Sequence, residues 1–94
     1  METELKVPTA ARRRIYQALV NQPGRHWTVR TLTDALAAHA SVRETAVRDT
    51  INFLLSLQVV ALVPYHRALT VSMTAPGERA LIVALRRVQA QTGA

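Results

Sequence analysis

Apolar residues recur along this chain in helical stripes, broken once by a stretch in which the period drops to two. From Thr9 onward, Ala11, Ile15, Ala18 and Leu19 keep helical spacing until NQPGR stops the pattern, and Pro8-Thr9 supplies a turn and an N-cap. A short second helix is predicted in HWTVRTLTDALAAH. Thr28 is its N-cap, Trp27 and Leu32 stand at the two ends of a hydrophobic staple, and Leu32, Ala35 and Leu36 form its buried stripe. Trp27 reads as core, with its large apolar ring turned inward. The third helix is predicted to open at Ser41, whose spacing to Glu44 is that of an S-x-x-E capping box. At about 100° per residue, Val47, Ile51 and Leu54 share one stripe, flanked by Thr50 and Leu55. Thr45, Arg48, Asp49 and Asn52 lie opposite.

After Leu57 the period changes. VVALVP is a short apolar run rich in β-branched residues, and ALTVSMT alternates, with Leu69, Val71 and Met73 one way and Thr70, Ser72 and Thr74 the other. PYHR between them is predicted as a hairpin tip of about two to five residues. Thr74 caps a last helix from Ala75 to about Gln91, with Pro76 in its first turn. Leu81, Leu85 and Val88 form one stripe there, while Ile82 and Val83 lie off it. The predicted class is α+β and mainly α: three helices, a β-hairpin and a C-terminal helix. Residues 1–8 read as a flexible arm and residues 9–94 as one domain ending in the helix 75–91.

Charge changes this picture. Twelve basic residues against six acidic ones give a net charge of +6, and the pI of 11.4 lies well above the value of about 9 that marks a nucleic-acid footprint. A charge of that size is also ordinary for a small soluble domain, so it suggests an anionic partner without establishing one. Eleven of the twelve cations are Arg, the better fork for phosphate and guanine. The absence of Cys excludes disulfides and thiolate metal sites. No apolar run approaches the ~20 residues of a membrane span, and METELKVPT lacks a basic-then-apolar secretory pattern. A cytoplasmic protein is expected.

Enzyme chemistry finds no support. His26, His39 and His66 fall in three separate elements without metal-ligand spacing, and no Gly-rich loop is present to cradle phosphate. Neither a cofactor nor a small-molecule effector is expected.

Three segments carry a resemblance: WTVRTLTDAL in the second helix, TAVRDTINFLLSLQVVALV from the third helix into the hairpin, and MTAPGERAL opening the last helix. Their order resembles that of winged helix-turn-helix transcriptional regulators of the MarR, PadR and ArsR type, over Thr9 to the C-terminus. MTAPGERAL is similar to the LT-x-x-G-x-x-L that opens the helix after the wing in those families, and AVRDTINFL to the TVR-x-x-L-x-x-L of GntR-type readers. The chain departs from the pattern at Gln58, which stands where these families place a left-handed Gly, and in a short wing with only His66 and Arg67 as cations.

The resemblance implies that the third helix enters the DNA major groove by its first turns while its apolar stripe stays in the core. Thr45, Arg48 and Asn52 then stand where base edges are read, Arg suiting guanine and Asn adenine. Asp49 must accept from cytosine or point away. Ser41 and Arg43 fall at the first turn, where phosphate contacts are expected, and Thr28 and Arg30, with Arg25 before them, at the amide end of the second helix. A competing role for Arg48 is an i,i+4 ion pair with Glu44. Arg12, Arg13 and Arg14 form a basic run whose plain reading is a solvated face, and Arg86 and Arg87 are expected to complement the negative end of their own helix. Leu81, Ile82, Leu85 and Val88 are the expected dimerisation residues. A dimeric, sequence-specific repressor of double-stranded DNA is the implied function. A plasmid or phage DNA-architecture factor, or a protein-interaction module binding no DNA, are the alternatives.

Overall fold

A computed structural model describes residues 7, 9–38 and 42–92, with side chains as far as Val88. It is an α+β fold, mainly helical. The elements are α1 (Ala10–Asn21), β1 (Trp27–Thr28), α2 (Val29–Ala35), α3 (Glu44–Ser56), β2 (Val60–Leu62), β3 (Thr70–Met73) and α4 (Ala75–Thr92). The three strands form one antiparallel sheet in the order β1-β3-β2.

Local chemistry explains most helix ends. Thr9 caps α1, its hydroxyl accepting from the Arg12 amide, and Gln22 closes the helix ahead of Pro23-Gly24. Thr28 caps α2 in a reciprocal box: its Oγ1 accepts from the Thr31 amide at 3.0 Å, and the Thr31 hydroxyl accepts from the Thr28 amide at 2.8 Å. Threonine does here what Glu or Gln does in the usual box. Trp27 and Leu32, the predicted staple pair, are both fully buried. Ala35 is not part of the stripe. It is exposed, because α2 ends there and the chain leaves the helix at Leu36.

The predicted start of α3 is corrected. Val42 lies outside the helix, Arg43 is extended, the helix begins at Glu44, and Arg43 at the N-cap makes no side-chain capping bond. Glu44 is thus the first helical residue rather than the third; Ser41, the expected cap, lies outside the described residues. Val42 is buried in the core cluster. Burial of a valine side chain is worth about 1.5–3 kcal/mol.

The core gathers Ile15, Tyr16 and Leu19 from α1, Val47, Ile51 and Leu54 from α3, and Leu81 and Ala84 from α4 around Trp27, Leu32, Val60 and Val71. Tyr16 and the Trp27 indole bring buried polar atoms, Oη and Nε1, that no well-formed hydrogen bond reaches among the described residues, the Arg12 guanidinium being the charged group that acts on the phenol. Burial raises the Tyr16 phenol above its ordinary pKa, and the nearby Arg12 guanidinium only partly opposes this.

β3 is the central strand. Val71 stands opposite both Trp27 and Leu62, and Thr70 opposite Thr28. The predicted alternation along this strand does not govern burial: Thr70 and Val71 are both buried, and Leu69 is exposed. Thr70 is covered as the chain enters a strand flanked on both sides, and its hydroxyl is satisfied by the Ala68 carbonyl at 3.0 Å. The link between β2 and β3 is longer than expected, running over residues 63–69. One backbone bond, Val63 amide to Thr70 carbonyl at 2.8 Å, closes its neck.

The junction of α3, β2 and α4 is the most tightly built part. Gln58 has φ 59°, in the left-handed region, as its place at the helix stop predicts. The Gln58 amide donates to the Leu55 carbonyl at 3.1 Å and the Val59 amide to that of Leu54 at 3.0 Å, the double bond pattern of a Schellman cap, with Leu54 and Val59 both buried beside it. The Thr74 hydroxyl caps α4 by accepting from the Gly77 amide at 3.0 Å, and lies 2.9 Å from the Gln58 carbonyl and 3.1 Å from that of Val59, to either of which it can donate. Gly77 is buried against the Val59 carbonyl, which a Cβ would overlap outright. The glycine of MTAPGERAL is therefore a matter of close backbone approach.

Candidate nucleic-acid interface

α3 is pinned along one side only. Val47, Thr50, Ile51 and Leu54 are buried, and Thr45, Arg48, Asp49 and Asn52 are exposed together on the other face. The three expected base-reading residues therefore share one surface. Arg48 is not idle there: its Nη2 donates to Glu44 Oε1 at 2.8 Å, one helical turn back, with both side chains more than half exposed. Such a pair contributes only about 0.2–0.5 kcal/mol, so a better partner can take the guanidinium from it. Arg43 is exposed at the N-cap of α3.

Around α2 the expected phosphate ligands differ from one another. Arg30 is the freest, with its side chain 90% exposed and only a loose 3.9 Å approach to Asp34. Thr28 has its hydroxyl and its amide in the capping box, so it builds the helix start instead of offering a free group. Arg25 packs its guanidinium 4.0 Å from the centre of the Trp27 ring and donates to Gln22 Oε1 at 3.0 Å. That stacking holds its charge at the edge of the core, next to the N-terminus of α2.

Two contacts have no signal in the sequence periodicity. Arg12 lies 4.8 Å over the ring of Phe53, joining α1 to the outer side of α3. It thus leaves the basic run, in which Arg13 is half-buried and Arg14 exposed. β1 is the other, and its only sequence signal is the Trp-Thr pair, both residues that favour strands.

His66 and Arg67 are exposed on the β2–β3 tip. On α4, two expectations are corrected. Leu81 is completely buried in its own core and has no surface for a second copy; Val83 is the large apolar residue that α4 exposes among the described side chains, with Ile82, Leu85 and Val88 half-buried. Arg86 and Arg87 stand before the last turn, because the helix continues to Thr92, and so do not serve its negative end.

No three His, Asp or Glu side chains come together among the described residues in a way that could hold a metal ion. No described helix is long and apolar enough to cross a membrane. No protein-family model matches the chain, and no curated protein matches it as a relative.

Proposed function

We propose that the protein binds double-stranded DNA sequence-specifically through α3, as a small dimeric regulator of transcription, of winged helix-turn-helix kind, in the cytoplasm. The observation that carries this reading is the one-sided anchoring of α3. Its apolar side is locked into the core, while Thr45, Arg48 and Asn52 lie exposed on a strongly cationic chain. A major groove about 12 Å wide admits such a helix, and these side chains match base edges. The order of elements supports the same reading, with α2 packed against α3 and the hairpin directly after it. Arg30 and Arg43 flank α3 as phosphate ligands that set register without reading sequence.

Dimerisation completes the reading. Val83, Ile82 and Leu85 give α4 an apolar outer strip, and a twofold pair would set two copies of α3 roughly 34–36 Å apart, on an inverted-repeat site.

Selection from a random duplex library, followed by salt titration on the selected site, tests this. A twofold-symmetric motif and steep weakening with salt are expected. Arg48→Ala and Asn52→Ala should lose preference for that site while keeping non-specific affinity, and Arg30→Ala should weaken both alike. Absence of duplex binding at low salt, or identical behaviour of the three variants, would overturn the assignment of α3.

A further inference from the structure

The β2–β3 tip carries the most exposed apolar surface of the described residues. Tyr65 is fully exposed, and Leu62 and Leu69 on either side of it are 60% and 43% exposed. Leu62 stands opposite Val71, which in turn stands opposite Trp27. Cross-strand neighbours share a face of the sheet, so Leu62 continues a row whose other two members are buried. It emerges past the edge of the core. Tyr65 also has φ 68°, a left-handed backbone that a bulky residue rarely adopts. Backbone outliers of this kind cluster at ligand-binding positions.

The chemistry of the tip narrows the partner. His66 and Arg67 follow Tyr65 directly, and the chain has no Asp or Glu between Asp49 and Glu78. The tip is therefore apolar and cationic together, with no carboxylate to repel an anion. Phosphate contact alone would use His66 and Arg67 and leave Tyr65, Leu62 and Leu69 in water. What suits all five is a strand that alternates anionic groups with flat apolar faces. Nucleic acid offers this wherever a base has lost a stacking neighbour. Inside a continuous duplex both faces of each base are already covered.

We propose that the tip is a second DNA contact, in which Tyr65 stacks on an unpaired or unstacked base while Arg67 and His66 hold the flanking phosphates, so that the protein distinguishes opened from continuous duplex. This rests on the DNA-binding reading and extends it from sequence to the state of the helix.

Competition between a fully paired duplex and the same duplex carrying one unpaired nucleotide tests it. The wild type should prefer the second by about tenfold, the scale of one base–aromatic stack. Tyr65→Asn removes the ring and keeps a residue that tolerates the left-handed backbone; it should lose the preference and retain its affinity for paired DNA. Tyr65→Trp should keep the preference, and Arg67→Ala should weaken binding to both duplexes. Equal wild-type affinity for the two, or a preference that survives Tyr65→Asn, would overturn the proposal while leaving duplex binding intact. Failure to bind either duplex would instead defeat the DNA reading itself. Phosphatidylglycerol vesicles serve as a further arm. Tyr65-dependent binding to them, without any preference for the unpaired nucleotide, would overturn the proposal and assign the tip to a lipid surface.

Discussion

Gln58 and Tyr65 are the two residues other than glycine with left-handed backbone among the described residues, and their surroundings are opposites. Gln58 lies at the base of the hairpin, where the Schellman cap of α3, the Thr74 hydroxyl and the close approach of Gly77 all converge on residues 58 and 59. Tyr65 lies at the far end, beyond the last strand bond, with its side chain wholly in solvent. The same backbone state thus has a structural cause at one end and none at the other. A rigid base that aims an adaptable tip is the usual division between scaffold and binding loop.

Gly77→Ala attacks the base most directly. The new Cβ would meet the Val59 backbone, which cannot move without disturbing β2 and the α3 cap. A loss of about 3 kcal/mol is expected in urea unfolding. A cost below about 1 kcal/mol would mean that α4 shifts freely, and that the base is no more constrained than the tip.

Thr74→Ala comes next. It removes the α4 cap and the hydroxyl that links α4 to the Gln58 and Val59 carbonyls, for an expected loss of about 1–2 kcal/mol. Thr74→Ser should restore most of it, because the bonds need only the hydroxyl. Equal losses for the two variants would point to the methyl group and packing instead.

The smallest effects compare the two left-handed sites themselves. Gln58→Gly should stabilise the protein by about 0.5–1 kcal/mol, since the cap holds that backbone in a conformation glycine adopts freely. Tyr65→Gly should change thermal stability by less than about 0.5 kcal/mol, because an untied tip can relax when the protein is heated. A larger gain at Tyr65 than at Gln58 would reverse the comparison and show that the tip, too, is held by the fold.

These differences also mark what could be read from the chain in advance. Helical faces were legible because amphipathicity is local: Val47, Ile51 and Leu54 recur at the helical period, and the opposite side of α3 carries Thr45, Arg48 and Asn52 whatever packs against it. The left-handed stop at Gln58 and the Thr28 and Thr74 caps were legible for the same reason, each being decided within a few residues. The exposed face proposed to read DNA therefore follows from sequence. Its neighbours do not. Arg12 on Phe53 is a contact between two helices, and Arg25 on Trp27 is made from the loop before β1; the apolar spacing within a helix reports neither.

The amino-acid sequence by itself determined the helices, their apolar stripes, the hairpin and the cationic character of the chain, because propensity, capping and charge act over one or two turns. Tertiary structure alone decided three other things. β1 is two residues long and exists only because β3, far along the chain, supplies its hydrogen bonds. α3 begins at Glu44, with Val42 just before it buried in the core. Leu81 and Ala84 are core while Val83 is surface, a choice made by what packs on α4, α1 among it, and invisible in a helix that is apolar on several sides.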